Sequence, residues 1–187
     1  MNRYKQLSYM LATLLLIAGL IFSIPSKVNA NSTMNEPGNY LKPSQSKPYP
    51  DLTKYKKLSI RVVLHKNRVY LLNGNNILYT MYCSGGMKDP QTGQSTTPVG
   101  HFEIQNERGT SFYNNKLKEG ANYWTSFKNH GEYLFHTVPT DENGNYKLAE
   151  AKKLGKTPAS HGCIRLSVPD ALFIQQVPAG TPVEIIK

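Results

Sequence analysis

Between Leu58 and Lys187 the apolar residues come in short bursts broken by Gly, Asn and Pro, without the three-to-four-residue spacing of a long amphipathic helix. Leu58 to Leu64 is rich in β-branched residues and predicts a strand, and Val69 to Leu72 predicts a second. Asn73-Gly74-Asn75-Asn76 is a turn of the Asn-Gly kind, after which Ile77 to Cys83 resumes as the returning strand of a hairpin. Ser84-Gly85-Gly86 ends it. A polar loop from Met87 to Thr97 closes at Pro98-Val99-Gly100, and His101 to Ile104 alternates like a strand. Tyr123 to Phe127 and Tyr133 to Val138 are aromatic strand candidates. Lys147 to Leu154 carries helix formers and stops at Gly155. Ser167-Val168-Pro169-Asp170 predicts a second helix, with Ser167 as its cap, running to Pro178. Thr181 to Ile186 is a closing strand. The expectation is a mostly-β domain of about seven strands and two short helices.

Upstream the pattern changes twice. Arg3 and Lys5 precede an apolar run of 13 residues, Met10 to Phe22, followed by the small-residue ending Val28-Asn29-Ala30. Residues 1–30 therefore predict a secretory signal peptide, with an uncleaved signal anchor as the alternative. A spanning helix needs about 20 apolar residues, more than this run supplies. Residues 31–55 are rich in Asn, Ser, Pro and Lys with no hydrophobic period, and predict a flexible tether. The folded unit is expected at 56–187, secreted or extracytoplasmic.

That address changes the meaning of the charge. The whole chain of 187 residues carries +10, but Arg3, Lys5 and Lys27 lie in the leader; the remaining 19 basic and 12 acidic residues leave +7. Outside the cytoplasm the polyanions at hand are envelope polymers, so anionic wall polymers are a candidate partner class. No nucleic-acid motif is present, and nucleic acid is not expected as a partner. Membrane contact is expected only through the N-terminal segment, if it is retained. Two cysteines exclude a disulfide-stapled miniprotein and a four-cysteine zinc module.

The chemistry concentrates in Ala159-Ser160-His161-Gly162-Cys163-Ile164-Arg165-Leu166, with His136 lying 27 residues before Cys163 at the end of an aromatic strand. A cysteine attacks as thiolate, and a histidine within hydrogen-bond reach can take its proton and return it to a leaving amine. Glycine beside it permits close backbone approach, and successive N–H groups can hold an oxyanion. Arg165 would share a strand face with Cys163 and can hold a carboxylate, or form a structural salt bridge. Other readings of the same residues stay open. His136, His161 and Cys163 can be zinc ligands, although their spacing is not the usual one. Cys83 and Cys163 can form a disulfide in an oxidising compartment, or Cys83 can be a buried thiol. A secreted, non-catalytic wall-binding module would use aromatics and lysines and be indifferent to Cys163. Sortase-type enzymes space His, Cys and Arg more widely, and papain-like peptidases place Cys before His.

Ser160-His161-Gly162-Cys163, preceded by a histidine on a strand, resembles the signature of the L,D-transpeptidases with a YkuD-type catalytic domain. Ser84-Gly85-Gly86, then Thr97-Pro98-Val99-Gly100-His101-Phe102-Glu103-Ile104, resemble the family's Ser-x-Gly turn and Thr-Pro-x-Gly-x-Phe-x-Ile stretch. Trp124, Phe127 and Leu134-Phe135-His136 resemble its strands leading to the histidine, and Ser167 to Lys187 its closing helix and strand. The resemblance implies a sandwich-like β domain acting on peptidoglycan stem tetrapeptides. A cysteine thioester forms with loss of D-Ala and is resolved by an amine, giving a 3→3 cross-link. Water as acceptor would make the enzyme an L,D-carboxypeptidase. Carried onto this chain, Cys163 is the nucleophile and His136 its base, oriented by the Thr137 carbonyl. The amides of His161, Gly162 and Cys163 build the oxyanion site, with Ser160 as an orienting residue, and Arg165, Trp124 and Tyr133 are candidate substrate contacts. The resemblance implies no metal or organic cofactor, and capture of Cys163 by carbapenems. Two departures stand out. The position two after the cysteine is Asn in one branch and Arg in another, here Arg165. The 23 residues between His136 and Ser160 exceed the family's shorter version, and the excess, Asp141 to Lys156, is either a lid or a surface excursion.

Overall fold

The computed structural model describes residues 33–187; the signal peptide expected at 1–30 lies outside the described residues. Nine strands form two sheets. The first has the order β3-β2-β1-β9-β4, from β1 (Leu58–Val63), β2 (Arg68–Asn73), β3 (Asn76–Tyr82), β4 (Gly100–Glu103) and β9 (Pro182–Ile186). The second has the order β5-β6-β7-β8, from β5 (Arg108–Asn114), β6 (Glu119–Lys128), β7 (Tyr133–Thr137) and β8 (Ile164–Leu166). Pairing is antiparallel except for β1 with β9 and β7 with β8. Two short helices complete the fold, α1 (Leu148–Ala151) and α2 (Val168–Ile174).

Local chemistry explains the best-defined parts. Asn73 pairs with Asn76 across a two-residue turn, as expected, but its central pair is Gly74-Asn75 with only Gly74 at positive φ (58°), the glycine-first kind and not the Asn-Gly kind. Ser167 caps α2 by accepting from the Asp170 N–H, and Pro169 sits in the first turn. One buried cluster draws from both sheets and from α2: Ile60, Val62, Leu71 and Met81 on one side, Phe127, Phe135, Ile164 and Leu166 on the other, with Ala171 and Ile174 between. Phe127 joins the layers, meeting Phe102 of β4 edge-on at 5.7 Å and Phe135 of β7 at 5.1 Å.

Two expectations need correction. Strand β5 is missing from the sequence-predicted set; its side chains are mostly exposed, so no apolar period marks it, and it exists through its ladder with β6. The flexible tether expected over 31–55 does not describe residues 33–55. Ser44 and Gln45 are buried there. The Ser44 hydroxyl accepts from the Tyr82 N–H at 2.7 Å, and Gln45 Oε1 accepts from the Thr80 N–H at 2.8 Å. These N–H groups lie on the outer side of edge strand β3, which polar side chains thus cover in place of a further strand. Tyr49 stacks on Phe173 of α2 with ring centroids 4.3 Å apart. A composition that looks like a solvated linker is here a strap, because its polar groups bond the backbone and not water.

Candidate active site

The parallel β7–β8 pair builds the site. His136, near the end of β7, lies beside Arg165 of β8, and Cys163 immediately precedes β8. Both His136 and Cys163 line a cavity of about 350 Å³, walled also by Trp124, Tyr133, His161, Gly162, Glu119 and Arg165. Thr137 is buried behind it.

His136 is buried, and its Nδ1 stands 2.6 Å from the carbonyl oxygen of Thr137. A carbonyl can only accept, so Nδ1 carries the proton and Nε2 is the lone-pair nitrogen. Phe112 packs edge-on against the ring at 5.6 Å. Burial, with Arg165 adding to it, pulls the imidazole pKa down to about 4, against a smaller opposing pull from the Thr137 carbonyl. Burial pushes the Cys163 thiol up to about 11, partly offset by the Leu134 backbone and Arg165. Burial thus favours the neutral form of both side chains. The thiol donates weakly to the Glu132 carbonyl at 3.7 Å, and among the described residues no hydrogen bond links it to His136.

The turn before Cys163 is pinned by hydroxyls. Ser160 Oγ accepts from the Gly162 N–H at 3.1 Å and donates to the Cys163 carbonyl at 2.6 Å. The Gly162 amide, expected in the oxyanion site, is thereby engaged within the turn. Gly162 itself has φ 147°, and a Cβ there would sit 3.0 Å from the Tyr133 ring and 3.3 Å from the Thr96 carbonyl. Any other residue there is strained in its backbone and crowds the Tyr133 ring.

Arg165, expected as a substrate contact, is buried between two carboxylates: Nη1 meets Glu150 and Nη2 meets Glu119, each at 2.7 Å. The salt-bridge alternative is thus the arrangement present, and the guanidinium reaches the cavity as one wall. Burial works against the Glu150 charge, but hydrogen bonds from Lys153 and Arg165 outweigh it and hold the carboxyl below the usual range. His161 is half-exposed at the mouth, its Nδ1 3.9 Å from Glu119. Trp124 covers Gly109, and Tyr133 flanks Gly162 with Lys128 over its outer face.

Cys83 and Cys163 are free thiols, Cys83 fully buried with its pKa pushed up to about 12 by burial. Among the described residues no three His, Cys, Asp or Glu side chains are grouped as metal ligands.

This geometry of strands, helix and histidine–cysteine cavity has matches among known proteins. The model of the YkuD L,D-transpeptidase catalytic domain matches residues 57–185. The chain belongs to that family. It is 44% identical over 148 residues to YciB of Bacillus subtilis (strain 168), provisionally named an L,D-transpeptidase, covering 79% of this chain and 74% of YciB. Among solved structures, an L,D-transpeptidase from Mycobacterium smegmatis superposes with a TM-score of 0.54 at 17% identity. L,D-transpeptidase LdtMt1 in complex with imipenem gives 0.53 at 21% identity. Each covers 70% of this chain, and this chain spans 59% of the length of each; at these identities they speak for the fold. The family's catalytic domain is the β-rich unit described above.

Within this family member, sequence reasoning missed several residues at the cavity. Glu119 and Glu150 looked like surface acids, and only the fold brings them onto Arg165. Glu150 comes from the extra segment between His136 and Ser160. That segment is neither a free excursion nor a detached flap: Ala151 and Leu154 pack with Tyr82 and Val138 in a second buried cluster. Thr97 was visible only as one letter of the Thr-Pro-x-Gly stretch.

Proposed function

We propose that this protein is an extracytoplasmic cysteine L,D-transpeptidase acting on peptidoglycan stem tetrapeptides. The carrying observation is that Cys163 and a neutral His136, its Nδ1–H held by Thr137, line one cavity. In this reading the thiol leaves the Glu132 carbonyl and turns within the shared cavity to His136 Nε2. As Sγ bonds to the carbonyl carbon between the third residue and D-Ala, His136 takes the thiol proton. Collapse breaks the C–N bond, the proton passes to the departing amine, and D-Ala leaves a Cys163 thioester. An amine from a second stem then attacks; its proton goes to His136, the C–S bond breaks, and a 3→3 cross-link forms. Trp124 and Tyr133 wall the donor site, and Arg165 acts there as a fixed cation behind His136. Water as acceptor would give L,D-carboxypeptidase trimming on the same residues. The leader at 1–30 supports export, with membrane contact only if it is kept, and the +7 charge of residues 31–187 supports contact with anionic wall polymers.

The test is mass spectrometry of the full-length protein with a purified disaccharide-tetrapeptide, beside Cys163→Ala. Loss of D-Ala confined to the wild type is expected, with a cross-linked dimer naming an amine acceptor and a tripeptide naming water. Equal D-Ala release by both proteins, or none by either, refutes the proposal. A carbapenem, by the same chemistry and as LdtMt1 holds imipenem, should add its mass to Cys163 and not to the alanine variant.

A further inference from the structure

Thr97 lies outside the catalytic motif, yet its hydroxyl touches the catalytic turn. It is buried at 1% exposure. Its Oγ1 accepts from the Gly86 N–H at 2.7 Å and stands 2.8 Å from the Gly162 carbonyl oxygen. The backbone N–H can only donate, so the one hydroxyl proton must go to Gly162. The Gly162–Cys163 peptide is planar and trans, so fixing its carbonyl toward Thr97 fixes the Cys163 N–H in the opposite direction. Ser160 takes the Gly162 N–H and the Cys163 carbonyl. With those groups committed, the Cys163 amide points along the direction that the Thr97 bond to the Gly162 carbonyl sets.

We propose that Thr97 is a positioning residue for acyl transfer, whose hydroxyl sets the plane of the Gly162–Cys163 peptide so that the Cys163 N–H meets the oxyanion as it forms. The inference rests on the reading that Cys163 accepts an acyl group. It needs no particular stem peptide. A glycine at 162 and a threonine hydroxyl on the Met87–Gly100 loop then form one device: glycine permits the peptide orientation and Thr97 selects it. The loop end also ties to Gly86, whose neighbour Gly85 accepts from the Ser160 N–H at 2.9 Å, so three chain segments meet at this hydroxyl.

Two reactions of Cys163 separate this role from a general effect. Acylation by p-nitrophenyl acetate forms S–C(=O), breaks the ester C–O bond and expels p-nitrophenolate through an oxyanion. Alkylation by iodoacetamide forms S–CH₂ and expels iodide, with no oxyanion. Both are followed by mass on the full-length protein, with Cys163→Ala as blank. In Thr97→Val, of nearly equal volume, acylation should slow on the order of 100-fold, the scale of a misplaced oxyanion donor. Alkylation should stay within about twofold, because it reports thiol access and ionisation alone. Thr97→Ser, which keeps the hydroxyl, should recover most of the acylation rate. Equal slowing of both reactions, no slowing of acylation, no rescue by serine, or a wild type that is alkylated but not acylated overturns the proposal. Normal acylation with no D-Ala release from the tetrapeptide would instead overturn the function proposed above and leave Thr97 in place.

Discussion

Replacing Ser44 by alanine tests whether residues 33–55 belong to the fold. The Ser44 hydroxyl has two partners: it accepts from the Tyr82 N–H and donates to Asp170 Oδ2. Asp170 is fully buried in the first turn of α2, where its carboxyl also accepts from the Tyr49 hydroxyl and its backbone N–H donates to Ser167 Oγ. Removing one hydroxyl orphans a strand N–H and one oxygen of a buried carboxyl. Each unsatisfied buried group costs about 1–3 kcal/mol, so the loss should be about 3 kcal/mol. Against a total of about 5–15 kcal/mol for a domain, that is a large fraction. Urea unfolding followed by tyrosine fluorescence reads it: with a slope of about 1–3 kcal/mol/M, the midpoint falls by about 1–3 M at unchanged slope. Burial raises the Asp170 pKa above its unfolded value, so its contribution is full below the unfolded pKa and is lost as pH rises through the folded one. The Ser44→Ala deficit should therefore be larger at pH 7 than at pH 4, where a protonated Asp170 donates for itself. Leu41→Ala, at an exposed strap position, should stay within about 0.5 kcal/mol. A Ser44→Ala midpoint equal to wild type would mean that this segment is a tether after all.

Two further outcomes follow from the site. Gly162→Ala forces a positive φ on alanine and a Cβ against Tyr133, so about 1–3 kcal/mol of strain should appear in thermal unfolding, and D-Ala release should be lost; an alanine variant with wild-type turnover refutes the corner's role. The His136 pKa falls from 6.5 to about 4 on folding, so its neutral form adds stability above pH 6.5 that drains away as pH drops toward 4. At about 1.4 kcal/mol per unit that is about 3 kcal/mol, read as the difference in acid sensitivity between wild type and His136→Gln; parallel curves would contradict it.

What the sequence made legible was local. The Asn73–Asn76 turn and the Ser167 cap depend on a few neighbouring residues, so pattern suffices to place them. Strand β5 and the strap depend on distant partners: β5 is ordered by its ladder with β6, and Gln45 by N–H groups of β3 some 35 positions away. Neither leaves an apolar period. At the site, the residues that carry rare chemistry, Cys163 and His136, announced themselves by type and spacing. Those that set its electrostatics did not, because a glutamate or threonine is common on any surface. Glu119 and Glu150 gain meaning only after the β7–β8 register puts Arg165 beside His136.

That register also explains why the extra segment between His136 and Ser160 is a poor candidate for a swinging lid. Opening it would draw Glu150 away from a guanidinium that is 3% exposed and whose Nε already lacks a partner among the described residues. A buried cation stripped of one carboxylate costs about 3–5 kcal/mol, and Ala151 and Leu154 would have to leave their cluster in the same movement. The segment does better as a fixed wall. Through Glu150 it holds Arg165 where the positive charge disfavours imidazolium at His136 and favours thiolate at Cys163. One cation thus adds to the burial that lowers the His136 pKa and offsets part of the burial that raises that of Cys163. Both effects require that it stay where the two glutamates hold it.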